Sequence, residues 1–476
     1  MKSLRGAWCL SVLLLTISVS GAERNRLRGH LPEGVTKIPS LGRMEATARL
    51  DLAIGLPLRR REALGELLQQ LCDPASPKYR QFLTPAQFAE LFCPTEADYQ
   101  AVIAFAKSKG LTVTGTHPNR MLVNVNGSVT AVEKAFQVTM RVHPHPKESR
   151  TFYAPNVDPS LDTDVPVLAI GGLNNYALAR PLSRKTSSGN QARRITALGG
   201  SGPGGAFLGR DFRAAYAPGG SLTGAGQTVA LVQFDGYYPA DIITYKNLAN
   251  LPDTPIVSVL VDGFDGTPGP NNSEVALDIQ MAISMAPGLS QVLVYQAPPT
   301  GHPNTVLNRI ATDNQARQIS ASWGYPIDAI TEQIYQQFAA QGQSFFNASG
   351  DDGAYVDVVL QPTDNPHITI VGGTTLATGS DGAWTSETSW NWSSTGLGTS
   401  ASGGGFGTNY TIPSWQTGLS MAANQGSFSF RNLPDVSMVG DNVWVVWDNG
   451  SRAAFGGTSV ASPLWAGFIA LVNEQA

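Results

Sequence analysis

Gly456-Gly457-Thr458-Ser459-Val460-Ala461-Ser462-Pro463 lies near the C-terminal end of the 476-residue chain and runs into a helix-forming segment, Leu464 to Glu474. A serine set between small residues and a helix start is where a nucleophile is useful. Small neighbours admit a substrate backbone, and the helix N-terminus offers N–H groups and a positive dipole end to developing negative charge. The pattern predicts a turn entering a helix, with the Ser459 hydroxyl exposed. Taken alone, Thr458 and Ser459 serve equally well as an ordinary helix cap, so the reading depends on partners elsewhere in the chain.

Working outward, Ser273 to Pro287 predicts a helix with Glu274 and Asp278 four residues apart. That spacing puts both carboxyls on one face, with Cβ atoms roughly 5 to 6 Å apart. Two carboxylates so placed repel when both are ionised, and a structural role gains nothing from that. Sharing a proton, they make a base for the acid range: Asp278 holds Glu274, and Glu274 takes a proton from Ser459. Leu277, Ile279, Met281 and Ile283 beside them argue for burial, although an ordinary solvated Glu and Asp would share the spacing. Asn347 to Gly353, a Gly-rich turn directly after an apolar run, carries Asp351 and Asp352; it also fits a plain or calcium-binding turn.

Thr228 to Phe234 is a continuous apolar run of the kind that fills a parallel sheet covered on both faces. Further strands are predicted at 256–261, 291–295, 319–323, 344–348 and 368–371, with helical segments between several of them. The order favours an α/β domain with a doubly wound parallel sheet.

The nucleophile string, with Ala461-Ser462-Pro463 following, resembles that of the subtilisin-like serine peptidases and most of all their sedolisin branch, the serine-carboxyl peptidases. Ser320-Ala321-Ser322-Trp323-Gly324, Val371-Gly372-Gly373-Thr374, Ser402-Gly403-Gly404-Gly405 and Leu433-Pro434-Asp435-Val436-Ser437 resemble the same family in the same order. The resemblance implies a subtilisin-like fold and a catalytic set of Glu274, Asp278, Asp351 and Ser459. Asp351 then stands where subtilisin-like enzymes offer an Asn amide to the oxyanion, so it works only when protonated. A His-dependent triad is disfavoured: beyond the N-terminal portion only His302, in a Pro-rich loop, and His367, at a strand start, remain. The edge Ser322 to Gly324 is expected to pair with the backbone of an extended substrate, without reading its side chains. The family also implies Ca2+, bound by a segment after the nucleophile helix. Because the chain stops at Ala476, those ligands are expected to be absent, with no metal site in this chain and a truncated gene product or incomplete sequence as the reason.

Residues 206–476 hold 7 basic against 21 acidic side chains, net −14, whereas the first 205 hold 25 against 15, net +10. Such halves attract as a pro-segment and its enzyme would, or are two separately solvated domains. No basic cluster is dense enough for nucleic acid. Helical stripes at 59–72 and 95–109, a helix at 129–136 and short strands at 111–116, 121–126 and 137–142 predict a compact α+β unit of ferredoxin-like type. Tyr79-Arg80-Gln81-Phe82-Leu83-Thr84-Pro85, with Phe92, Gly110-Leu111 and Val132-Glu133, resembles the activation domain of pro-kumamolisin-like precursors. That resemblance implies an intramolecular inhibitor.

Met1 to Ala22 reads as a secretory signal, with Lys2 and Arg5 before an apolar run and small residues at Ser20-Gly21-Ala22. The expected organisation is a signal peptide at 1–22, a pro-domain at 23–180, an exposed linker at 181–205 and a peptidase domain at 206–476. Within the linker, Arg193-Arg194 offers a dibasic cut site. Cys9 leaves with the signal, and Cys72 and Cys93 either pair or stay as thiols. The expected protein is a secreted, monomeric, acid-acting endopeptidase made as a zymogen, acting on polypeptides with no membrane association after signal removal. The alternative is a non-catalytic binding or scaffold protein on a truncated peptidase fold.

Overall fold

The computed structural model describes residues 25–32, 34–161, 167–185, 199–356, 360, 362–395 and 398–475. The signal sequence with Cys9, the Arg193-Arg194 pair and Ala476 lie outside the described residues. Among the described residues, no helix is long and apolar enough to cross a membrane.

The C-terminal lobe is built on an eight-stranded sheet. Its order is Ile256–Leu260, Gln291–Gln296, Thr228–Gln233, Gln318–Ala321, Ser344–Ala348, Thr369–Thr378 and Trp384–Ser389, with Val436–Val439 also pairing with Thr369–Thr378. All pairings are parallel except the one to Trp384–Ser389. Val229 to Val232 are fully buried, because helices cover both faces and a parallel strand then has no wet side. The chain places Thr228–Gln233 centrally, adds strands on one side of it, then crosses to the other. Such a reversal opens a crevice at the carboxyl ends of the strands.

Two helices frame that crevice. Asn272–Met285 is buried at every position but Ser273, Glu274 and Asp278 included. Gln280 fastens it by exchanging two hydrogen bonds with the backbone of Val446, at 2.6 and 3.1 Å. Thr458–Gln475 packs beside it and carries Pro463 inside its second turn. Ser459 therefore belongs to the first helical turn itself, and it is buried instead of exposed.

The N-terminal lobe is a four-stranded antiparallel sheet in the order Thr112–Thr116, Leu122–Ser128, Arg49–Gly55, Ala169–Gly171. With helices Glu96–Ser108 and Val129–Phe136 in the two crossings, this is the split βαβ arrangement of ferredoxin-like folds. The helix Pro85–Phe92 was not anticipated, yet its signal is local: Thr84 and Gln87 form a capping box with Pro at the first turn. Cys72 is exposed and Cys93 buried, both as free thiols, and burial pushes the Cys93 thiol up to about 12.

The seam between the lobes is made of packing and hydrogen bonds. Gln333 clamps the N-terminal lobe, accepting from the Leu58 N–H at 2.6 Å and donating to the Leu56 carbonyl at 3.0 Å. Asn119 Nδ2 donates to Asn308 and Gln337, at 2.6 and 2.9 Å. At Gly171 a Cβ would sit 2.3 Å from His302 Nε2, so the glycine is what lets this strand lie on the histidine ring. Among the described residues, the ion pairs joining residues before 206 to those after it are Arg180 and Arg184 with Asp352. The charge contrast between the halves does not organise this seam.

Candidate active site

Every candidate residue sits at the carboxyl ends of the parallel strands or on the two framing helices. Gln233 ends its strand, Ser322 follows Gln318–Ala321, and Ser349-Gly350-Asp351 follows Ser344–Ala348. Asp235, just past Gln233, accepts from the N–H groups of Gly236, Gly269 and Asn271 at 2.6 to 2.7 Å. Those bonds tie down the loop that launches the helix bearing Glu274 and Asp278.

Asp278 is held from two sides. Ser322 Oγ donates to Oδ1 and Gln233 Nε2 to Oδ2, both at 2.6 Å. The amide of Gln233 has its orientation fixed by Trp323, whose Nε1–H donates to Gln233 Oε1 at 3.0 Å, since an indole can only donate. Glu274 is different: it is fully buried, and its carboxyl oxygens make no hydrogen bond of full geometry, although the Ser183 and Ser459 hydroxyls lie close enough to favour its ionised form. Asp278 therefore does not hold Glu274 by a direct bond, as the helical spacing had suggested; Gln233 and Ser322 take up its oxygens instead. Burial first, and the neighbouring Asp278 second, hold Glu274 well above the usual carboxylate range, with the Ser183 and Ser459 hydroxyls offsetting part of the rise. Burial pushes Asp278 up to about 8, against the pull of Ser322 and Gln233.

Asp351 and Asp352 separate cleanly. Asp352 is exposed, and its oxygens face the Arg180 and Arg184 guanidinium groups at 3.7 and 3.4 Å. Asp351 is fully buried; its Oδ1 accepts from the Thr458 N–H at 2.8 Å and the Thr458 hydroxyl at 3.0 Å, while Oδ2 has no partner. A backbone N–H only donates, so Oδ1 is an acceptor and a proton on this carboxyl belongs on Oδ2. Burial pushes Asp351 up to about 7, partly countered by Thr458 and Arg184.

Ser459 Oγ donates to the Ser322 carbonyl at 3.2 Å. Ser322 Oγ lies 3.2 Å from the Ser459 carbonyl oxygen, which Pro463, having no N–H, leaves without its helical donor. The two histidines are elsewhere. His302 caps the helix Pro303–Asp313, accepting from the Asn304 N–H at 3.3 Å, and His367 faces Glu332 at 3.5 Å.

The segment read as an exposed linker enters this crevice. Arg180 and Pro181 pair antiparallel with Gly324 and Trp323, and Leu182 N–H donates to the Ser322 carbonyl at 3.0 Å. Beyond the nucleophile, Arg184 and Lys185 pair with Gly456 and Phe455, and Lys185 Nζ lies 4.7 Å from the Trp447 ring centre. Leu182 is 1% exposed. Two hydrogen-bonded strand edges hold this segment, which is why its polar, Gly-rich composition misled the reading. Gln233, Thr458 and residues 180–185 were missed as site residues. A polar side chain closing the apolar run 228–234 was the one available signal for Gln233.

Among the described residues, no group of three or more His, Cys, Asp or Glu side chains is arranged to hold a metal ion. These carboxylates therefore form no built site for calcium among the described residues.

A family model described as "Pro-kumamolisin, activation domain" matches residues 37–176. Sedolisin of Pseudomonas sp. (strain 101) is 30% identical over 459 residues, covering 89% of this chain and 76% of that protein. Kumamolisin of Bacillus sp. (strain MN-32) is 29% identical over 484 residues, covering 95% of this chain and 85% of that protein. Among solved structures, Pseudomonas sedolisin (serine-carboxyl proteinase) complexed with two molecules of pseudo-iodotyrostatin aligns with a TM-score of 0.51 at 27% identity, covering 59% of this chain and 82% of that one. With buried carboxyls around a serine, histidines remote from it and an activation domain seated on its C-terminal lobe, the chain belongs to the sedolisin family and is a serine-carboxyl peptidase with a pro-domain.

Proposed function

We propose that the protein is a secreted, acid-acting serine endopeptidase, made as a zymogen, that cleaves extended polypeptides through an acyl-enzyme on Ser459. Glu274 is the base that takes the Ser459 proton and returns it to the leaving amine. Asp278, fixed by Gln233 and Ser322, positions that proton and stabilises the pair. Asp351 donates a hydrogen bond from its protonated Oδ2 to the oxyanion beside the Ser459 N–H. Ser322, Trp323 and Gly324 receive the substrate backbone as a strand edge. The signal-like Met1 to Ala22 supports secretion.

The observation that carries the reading is the bare, buried Oδ2 of Asp351. An unpartnered buried carboxyl oxygen is costly unless protonated, and a proton held there is a donor with nothing to donate to until an oxyanion forms. Asp351, raised to about 7, is neutral below that pH and loses its donor above it. Glu274 must instead be ionised, so activity also falls when acid titrates its pair with Asp278. The two requirements give a bell whose alkaline limb is set by Asp351 and whose acid limb is set by the first proton lost from the coupled Glu274 and Asp278 pair. Measuring kcat/KM across pH for wild type and Asp351→Asn tests this. Asn keeps a donor that does not titrate, so the alkaline limb moves upward; an unchanged limb in an active variant excludes Asp351 as the oxyanion acid.

A further inference from the structure

The crevice holds a stretch of the protein's own chain in the posture of a substrate, and its hydrogen bonds single out one peptide bond. Up to Leu182 the segment runs antiparallel to 322–324; from Arg184 it runs antiparallel to 455–456. The change of partner occurs across Leu182–Ser183. At that point the Ser459 N–H donates to the Leu182 carbonyl at 3.0 Å, the bond an oxyanion would receive. Gly457, at φ +138°, is where the approach is tightest: a Cβ there would lie 2.7 Å from the Leu182 carbonyl oxygen, 2.8 Å from Ser183 Cα and 2.9 Å from Asp351 Oδ2. The carbonyl oxygen and the bare carboxyl oxygen thus converge on one glycine. The Ser183 hydroxyl lies beside Glu274, near enough to favour its ionised form.

We infer that Leu182–Ser183 is the bond this peptidase cleaves in its own chain, within one molecule, and that Asp352 selects the basic residues flanking it. The assignment rests on the peptidase reading above. Ser459 Oγ turns from the Ser322 carbonyl, a side-chain rotation, and attacks the Leu182 carbonyl carbon while Glu274 takes its proton. The C–N bond to Ser183 breaks as Glu274 hands that proton to the Ser183 nitrogen, leaving Leu182 as an ester on Ser459. Water then adds to the ester carbonyl, giving a proton to Glu274, and Ser459 leaves with that proton. The products are a fragment ending in the Leu182 carboxylate and a C-terminal fragment beginning with the Ser183 amine. Arg180 and Arg184 stand symmetrically two residues to either side of Leu182, and both face Asp352. One exposed carboxylate thereby reads a basic residue on each side of the cut.

The test uses the purified full chain and its Ser459→Ala variant, shifted from neutral to acid pH and sampled by intact mass and N-terminal sequencing. The expected first product begins at Ser183, its partner ends at Leu182, its rate constant does not change on dilution, and Ser459→Ala yields none. A first product with another N-terminus and an intact 182–183 bond overturns the assignment, as does a rate constant that falls with dilution, which means one molecule cuts another. An unfolded protein substrate included in parallel separates the two readings. If that substrate is hydrolysed while 182–183 stays intact, only this inference fails; if neither is cut, the peptidase reading fails with it. For the role of Asp352, a synthetic peptide of residues 177–185 is offered to the activated enzyme. It should be cut between Leu182 and Ser183. Changing its Arg180 and Arg184 to Glu should lower kcat/KM about 2- to 30-fold, as expected for two exposed ion pairs, and an undiminished value overturns the role of Asp352.

Discussion

Burial acts on the nucleophile cleft and on the seam between the lobes with opposite signs. In the cleft it raises Glu274, Asp278 and Asp351, the last two to about 8 and about 7. In the seam it lowers His30, His117 and His302. For the carboxyls the folded form binds protons more tightly than the unfolded chain. Their contribution to folding is therefore full below the ordinary carboxylate range and is lost as pH rises, through about 7 for Asp351 and about 8 for Asp278. For the histidines the folded form resists the proton, so their contribution is full above their ordinary value of 6.5 and is lost as pH falls. Acidification thus stabilises the folded cleft while it weakens the burial of the seam histidines.

The seam histidines border a cavity of about 760 Å³ shared with Asp262, Arg309 and Asp328. His117 faces Arg309, which opposes its charging, and bonds Asn124, whose amide also reaches Asp262 and Thr305. His30 and His302 both feel Asp328, and His30 also feels Asp158; each carboxylate raises them, and burial outweighs it. Asp262, pushed up to about 6 by burial with Asp51 adding to the rise, opposes the trend because it favours the seam in acid. Three histidines lose stabilisation as pH falls and one carboxyl gains it, so a weaker contact in acid is the expected balance. These groups, and not long-range attraction between a basic and an acidic half, are expected to set the pH dependence of the contact with the activation domain.

The largest effect that would break the contrast concerns the cleft. Ser459→Ala should lower kcat by on the order of 10⁶ while leaving the seam and its acid sensitivity intact. Residual turnover by purified variant, free of other peptidases, would show that another group attacks. Next, Asp351→Asn should lower the maximal rate by about 10² to 10³ and shift the alkaline limb upward without moving the acid limb. Steady-state profiles of both enzymes decide it.

Smaller effects lie in the seam. Gln333→Ala removes both bonds to Leu56 and Leu58 and should weaken inhibition by the added activation domain by about 1 to 3 kcal/mol, at every pH alike. A loss confined to acid pH would mean that Gln333 acts through the histidines. The smallest change is expected from His117→Gln with His302→Gln, since Gln keeps a polar side chain that does not charge. Inhibition at neutral pH should be close to wild type, and the ratio of inhibition constants between acid and neutral pH should shrink. An unchanged ratio would assign release to other groups and remove the symmetry between cleft and seam.

Much of this was legible in the chain itself. Continuous apolar runs such as 228–234 marked strands of a covered parallel sheet, because a strand buried on both faces has no polar alternation. The spacing of Glu274 and Asp278 placed two carboxyls on one helical face, and the contexts of His302 and His367 argued against a histidine base. These are properties of short windows, and local periodicity encodes them. The tertiary structure alone decided the rest. It distinguished Asp351 from its neighbour Asp352 by burying one and leaving the other to two arginines, and it held Asp278 with Gln233 and Ser322 instead of Glu274. It also drew residues 180–185, whose composition reads as a solvated linker, between two strand edges and laid the Leu182 carbonyl on the Ser459 N–H. Backbone hydrogen bonds carry that contact, and they are blind to side-chain type. No pattern of residues along the chain could announce it.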